Sequence, residues 1–226
     1  MGATSHSPRL RLVSPEPLEL EVENEAKSGV QPVEATDVEA AGELDQELVG
    51  RVLRSEAHAF ELLYRRHAEF AFNLAVRIQG SSVDVEDVVH DAFLKARERL
   101  DDLRDSAAFR PWLGSIVVRL VRTRLRRRKL LATLGLTAPE PVEIESIATP
   151  DADPESRALL AQVYALLQTL AADDRIAWTL RYVERHRLET VAVMMDCSLA
   201  TAKRRIARAQ RFLTDHFVDP FSKTSA

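Results

Sequence analysis

The chain has 226 residues, enough for one or two domains with cores of their own, and its 7 glycines and 6% aromatic content against 29% charged residues favour helices over sheet. The single cysteine, Cys197, excludes an internal disulfide framework and a cysteine-rich metal site. The net charge of −4 argues against a nucleic-acid partner only until its distribution is considered: residues 1–43 hold three basic and nine acidic side chains, a net −6, which leaves +2 on residues 44–226.

Residues 1–43 contain Pro8, Pro15, Pro17 and Pro32, many glutamates and no aromatic residue. Such a composition buries too little apolar surface to offset chain entropy, and it predicts a disordered acidic tail. The tail is either inert or a competitor with DNA for the basic surfaces downstream. No apolar stretch follows Arg9 and Arg11, so a signal peptide is not expected, and no apolar run is long enough to insert in a membrane. A cytoplasmic protein is the expectation.

An N-terminal helical domain is predicted over 44–130. Phe60, Leu63, His67, Phe70 and Leu74 fall on one helical stripe. Gly80-Ser81-Ser82 interrupts it, with Ser82 suited to start the next helix. Val85, Val88, Val89, Ala92, Phe93, Ala96 and Leu100 then recur at helical spacing. That helix opens with Asp84, Glu86, Asp87 and Asp91, of which Asp84, Asp87 and Asp91 share a face. The helix dipole accounts for acids in a first turn but not for a face that continues to Asp91. A metal site using His90 would need ligands from a second element, and no second acid-rich helix is present, so no metal is expected. A protein-docking surface fits better. After a polar turn at 101–106, Phe109, Trp112, Leu113, Ile116, Val117 and Leu120 mark a third strong helix.

That helix ends in the first basic cluster. Seven of the eleven residues 119–129 are basic and none is acidic. Arg119, Arg122, Arg126 and Lys129 line one face, while Trp112, Ile116 and Leu120 can anchor another. Unpaired like charges at i, i+4 destabilise a helix, so a guanidinium face implies a partner, and a phosphate backbone suits it. Gly135 and four prolines between 139 and 154 then predict a flexible linker over 131–155.

A second helical domain is predicted over 156–218, with a frayed tail at 219–226. In it, Leu188, Val191, Ala192 and Met195 form the inner face of a short helix. Asp196-Cys197-Ser198 makes a turn, and Ser198 can cap the helix that follows. There Leu199, Ala202, Ile206, Ala209 and Leu213 face inward, while Lys203, Arg204, Arg208 and Arg211 remain outside. Two short helices, a tight turn and a basic second helix describe a helix-turn-helix whose second helix enters the DNA major groove. The fold class expected is therefore all-α: two small helical domains joined by a flexible linker, the C-terminal one containing the helix-turn-helix.

In order and spacing these segments resemble the sigma-70 family of RNA polymerase sigma factors, specifically its extracytoplasmic-function group. Residues Asp84-Val85-Glu86-Asp87, then Asp91-Ala92-Phe93, look like the acidic signature of its first domain. Residues 109–129 look like its promoter −10 helix. Leu180-Arg181-Tyr182-Val183-Glu184 and Thr201-Ala202-Lys203-Arg204-Arg205 look like its second domain, which reads the −35 element. The resemblance implies a factor that binds core RNA polymerase and promoter DNA, needs no cofactor, and is no enzyme. An anti-sigma factor is a further implied partner. Asp84, Glu86, Asp87 and Asp91 would dock on polymerase. Ser106, Phe109, Arg110, Trp112, Arg119, Arg122 and Arg126 would serve the −10 element, with the loop 103–108 opening the duplex. Ser198, Thr201, Lys203, Arg204, Arg205, Arg208 and Arg211 would serve the −35 element. The chain departs from the family pattern at Arg119, where Asn is frequent, at Asp196 and Arg185-His186, where Gly is usual, and in the acidic extension. A conventional helix-turn-helix regulator that binds operator DNA without polymerase is the alternative; it leaves the 119–129 helix and the acidic face without a role.

Overall fold

The computed structural model describes residues 35–56, 58–136, 141–149 and 151–217, with the backbone alone for 35–43. Most of the expected acidic tail and all of the expected 219–226 tail lie outside these residues. Among the described residues every regular element is helical, as the composition predicts.

The first helix, α1 (Ala35–Leu53), starts nine residues inside the segment expected to be disordered. It is tied down by Asp45, which is buried with His67, accepts from His67 Nε2 at 2.8 Å, and also accepts from Arg66 Nε at 3.0 Å. Helix α2 (Ala59–Gln79) carries the predicted stripe, with Leu63, His67 and Leu74 buried and Phe60 and Phe70 half-buried. It stops at Gly80, whose φ of 72° is left-handed and whose N–H bonds Val76 O at 2.7 Å. Helix α3 (Val85–Glu98) buries Val85, Val88, Val89, Ala92, Phe93 and Ala96, the residues its spacing singles out. Ser82 does not cap it. The cap position is Asp84, and Ser82 is held elsewhere, as described below. Two 3₁₀ turns (Leu100–Asp102 and Ser106–Ala108) lead into α4 (Phe109–Thr133), which runs three residues beyond the expected domain edge at 130.

The linker region is anchored part-way. It contains the short helix α5 (Ile144–Ile147), and just before it Glu143 accepts from Ser82 N at 2.7 Å and Ser82 Oγ at 2.6 Å. Glu143 N returns a bond to Gly80 O at 3.0 Å. The Ser82 hydroxyl, then its amide, hold the Glu143 carboxyl below its ordinary range.

Helix α6 (Pro154–Thr169) begins with Pro154 in its first turn and Asp153 as cap, accepting from Ser156 N at 2.8 Å. Next come α7 (Ala172–Trp178), a π-helical turn (Thr179–Val183), α8 (Leu188–Met194) and α9 (Leu199–His216). Ser198 caps α9 as expected, accepting from Thr201 N at 3.2 Å. Asp196 takes φ 50° and Arg185 takes φ 57°, so both positions where a glycine is usual do adopt left-handed backbone without one. Ala202, Ile206, Ala209 and Leu213 face inward as predicted. Leu199 does not: at the first turn of α9 it is exposed.

The N-terminal helices α1–α4 and the C-terminal helices α6–α9 press on each other. Ile176, Leu180, Val191, Met194 and Met195 join the same buried apolar cluster as Leu74, Leu113 and Val117. A smaller cluster of Tyr164, Leu167, Trp178, Ala209 and Leu213 lies within the C-terminal helices. Two glycines permit the close approach. A Cβ on Gly114 would sit 3.0 Å from Met194 Cε and 3.4 Å from Phe70 Cζ. A Cβ on Gly80 would sit 3.0 Å from the Tyr164 ring, whose hydroxyl donates to Arg77 O at 2.9 Å. Arg175 donates to Gln79 O, and Arg77 pairs with Glu184 at 2.9 Å, on the same side.

Candidate nucleic-acid interface

Three surfaces contain the candidate residues. The acidic one is at the start of α3. Glu86 and Asp87 point into solvent with no ion-pair partner among the described residues. Asp84 and Asp91 are partly engaged by the neighbouring basic helix. Arg128 Nη2 lies 3.2 Å from Asp84 Oδ2, Arg124 Nη1 donates to Asp84 O at 2.7 Å, and Arg124 Nη2 is 3.8 Å from Asp91. The acidic face thus divides into an open half and a half that packs on α4. The spacing of the acids alone does not show this division.

The second surface is the loop 103–108 with the start of α4. Asp105 stiffens the loop by accepting from Ala107 N at 3.0 Å. Ser106 is half-buried, and Arg110 is exposed with its guanidinium 4.4 Å above the Phe70 ring. Trp112 is half-buried, its ring 6.0 Å from that of Phe109. Phe109 itself is 0% exposed and belongs to the core, so this residue expected to serve the −10 element lies below the surface.

The third surface was expected as two separate basic faces, one on α4 and one on α9. The structure brings them together across α7. Arg122 forms a two-pronged pair with Asp173, Nε to Oδ1 at 2.7 Å and Nη2 to Oδ2 at 2.8 Å. Arg126 Nη2 reaches the same carboxylate at 2.9 and 3.0 Å, and Arg205 Nη2 from α9 reaches it at 2.5 Å. Next to it Asp174, only 4% exposed, receives both prongs of Arg208 at 2.5 Å. Arg122 and Arg205 are only 20% and 15% exposed, so their pairs are not loose surface pairs, whereas Arg126 and Arg208 keep 59% and 55% of their side chains exposed. Burial pulls Asp173 toward its neutral form, but the Arg122 hydrogen bonds, then the charges of Arg122, Arg205 and Arg126, outweigh it and hold the carboxyl below its ordinary range. The Asp173 hydrogen bond likewise raises Arg122, and that of Asp174 raises Arg208. Arg122, Arg126, Arg205 and Arg208 therefore do not present bare cations in this state. Arg119 is exposed and 3.9 Å from Asp196.

On α9 the outward positions remain open. Lys203 and Arg204 are exposed without an ion-pair partner among the described residues, Arg211 is exposed, and Ser198 and Thr201 lie at the helix start. This is where a recognition helix presents its base-reading residues. Sequence reading missed Asp173, Asp174 and Glu143. No local pattern marks them, because their partners lie tens of residues away.

The comparisons with known proteins agree with this architecture. Residues 63–130 match the family description "Sigma-70 region 2" and residues 160–213 match "Sigma-70, region 4". The chain is 33% identical over 175 residues to the RNA polymerase sigma-H factor of Pseudomonas aeruginosa, covering 74% of this chain and 91% of that protein. It is 34% identical over 183 residues to the ECF RNA polymerase sigma-E factor of Escherichia coli K12, covering 78% and 95%. Among solved structures, CnrH in complex with the cytosolic domain of CnrY superposes with a TM-score of 0.51 at 27% identity, over 76% of this chain and 96% of that one. The sigma factor RpoE of Bartonella quintana, solved with the anti-sigma factor NepR, shares the fold with a TM-score of 0.52 at 21% identity, over 70% and 96%. No helix among the described residues is long and apolar enough to cross a membrane. With both regions matched in order and at this identity, the chain belongs to the sigma-70 family of RNA polymerase sigma factors, in its extracytoplasmic-function group.

Proposed function

We propose that the chain binds core RNA polymerase in the cytoplasm and directs it to promoters carrying −10 and −35 elements. The observation that carries this reading is the coexistence, in one chain and in family order, of an open acidic face on α3, an arginine-rich α4 and a capped helix-turn-helix with exposed Lys203 and Arg204. A conventional operator-binding regulator would need only the last of these. Glu86 and Asp87 make the main polymerase contact, and Asp84 and Asp91 contribute once Arg124 and Arg128 release them. The loop 103–108 and Trp112 receive unstacked −10 bases, since an aromatic face rewards a base for leaving the stack. Phe109 holds that platform from below. Ser106, Arg110, Arg119, Arg122 and Arg126 hold the backbone there. At the −35 element Lys203, Arg204 and Arg208 read bases, while Ser198, Thr201, Arg205 and Arg211 hold phosphates. The chain performs no bond-making chemistry. Like the relatives solved with a bound regulator, it is proposed to have an anti-sigma partner.

The test is transcription with purified core polymerase. The expected result is one-to-one binding and start sites that share two upstream motifs. Tight, sequence-specific DNA binding by the free protein with no affinity for core polymerase would overturn the reading.

A further inference from the structure

We propose that the recess between α4, α7 and α9 is a binding site for a small oligophosphate, a short chain of linked phosphoryl groups that is either free or carried by a nucleoside.

The recess is concave and its cations converge from different helices. Arg126 and Lys129 of α4, Asp173 of α7, and Arg204, Arg205 and Arg208 of α9 line it. Its volume of about 540 Å³ falls within the roughly 300–1,000 Å³ of small-molecule sites. Arg122 also shares Asp173, and Asp174 holds Arg208, so six cationic side chains face two carboxylates, an excess of four positive charges. A cleft lined by one sign of charge focuses its field and concentrates counter-ions. A single phosphate group carries about −1.5 to −2 at pH 7 and cannot match that excess. A chain of such groups can, and it fills more of the volume.

The donors needed for recognition are in place and under-used. The Arg205 side chain is 15% exposed; its Nη2 reaches Asp173 at 2.5 Å, while its Nη1 is buried without a hydrogen-bond partner. A buried donor left unpaired is costly, and a phosphoryl oxygen would satisfy it. Arg204 is exposed without an ion-pair partner among the described residues. Lys129 Nζ reaches the Thr169 and Leu170 carbonyls at 3.4 and 3.3 Å, long for such bonds. Guanidinium forks fit pairs of phosphoryl oxygens, and Lys129 adds a mobile point charge. No aromatic side chain lines the recess, so the phosphoryl chain is the recognised part and a nucleobase is not. An occupied recess would engage Arg204, Arg205 and Arg208, so the ligand and the −35 element would draw on the same side chains. That consequence rests on the function proposed above; the binding itself does not.

The experiment is calorimetric titration of the full chain with sodium tripolyphosphate, in about 0.15 M salt and without divalent cations. The expected result is one site per chain with a Kd on the order of 10 μM. Inorganic phosphate should bind roughly 100-fold more weakly. Lys129→Ala together with Arg204→Ala should weaken tripolyphosphate binding roughly ten-fold or more. Lys203→Ala together with Arg211→Ala removes the same charge from outside the recess and should change binding by less than about two-fold. If the first pair loses helicity, Leu130→Glu puts an anion at the exposed lip and should give the same loss. Equal losses in the two pairs of variants would reduce the binding to general charge attraction and overturn the site, as would the absence of binding to the wild-type chain. Adenosine and guanosine triphosphates that bind as tightly as tripolyphosphate would assign the site to the phosphoryl chain whatever carries it; roughly ten-fold tighter binding of either would make a nucleotide its source. Polymerase takes no part in these titrations, so failed core binding would remove the sigma-factor reading and leave the site standing.

Discussion

The acidic face of α3 and the basic faces of α4 and α9 are both charged surfaces suited to large partners, but they are in opposite states. Glu86 and Asp87 stand open to solvent, whereas Arg122, Arg126, Arg205 and Arg208 are already paired within the chain. The difference sets an order of events. On the function proposed above, the acidic face is open in the free protein, while four of the arginines proposed for DNA are engaged by Asp173 and Asp174. A charged patch therefore cannot be taken as available merely because its sequence is unbalanced.

The largest effect should come from attacking the open surface. Reversing Glu86→Lys together with Asp87→Lys should weaken core polymerase binding by on the order of 100-fold, because like charge replaces complementarity. Duplex binding by the free protein should be unchanged; competition against the wild-type chain for polymerase measures the first, and loss of both would show that α3 has been disrupted instead. Next is Arg204→Ala, which should cost ~1–3 kcal/mol at the −35 element and relax its base preference. As Arg204 has no ion-pair partner among the described residues, compactness should not change; an expanded protein would give Arg204 a role in packing.

Acid should weaken the occupied surface. Asp173 has a lowered pKa in the closed form, so its contribution is fully present above the ordinary carboxylate value and is lost as pH falls through its depressed value, in the range below about 4. Compactness followed by scattering should stay flat from neutral pH down to that range and then fall; opening between pH 6 and 8 would assign control to another group. The smallest effect should be that of Arg185→Gly. It relieves left-handed backbone at an exposed position and should stabilise the fold by up to about 1 kcal/mol in urea titration. A loss of stability would mean that the Arg185 side chain has a role of its own.

Much of the fold could be read from the sequence because it rests on local rules. The stripes of α2 and α3, the Ser198 cap and the tolerance of Asp196 for left-handed backbone each follow from residues within a few positions. The α4 spacing likewise placed Arg119, Arg122 and Arg126 on one face. What a face meets is not a local property. Asp173 lies 51 residues from Arg122 and 32 from Arg205, and Glu143 lies 61 from Ser82, so periodicity cannot pair them. Phe109 is expected at the −10 surface from the family resemblance alone, and the burial of its ring is likewise not a local property. Spacing places Leu199 inside, but at the first turn of α9 it is exposed.

The shared carboxylate also bears on how such a protein travels. A chromosome presents on the order of 10⁶–10⁹ non-specific sites, and a chain with two bare arginine helices would spend most of its time adsorbed on them. With Asp173 and Asp174 pairing Arg122, Arg126, Arg205 and Arg208, those four side chains should add less to such adsorption. A single acidic pair on a seven-residue helix would thus weaken the hold of bulk DNA on the free protein.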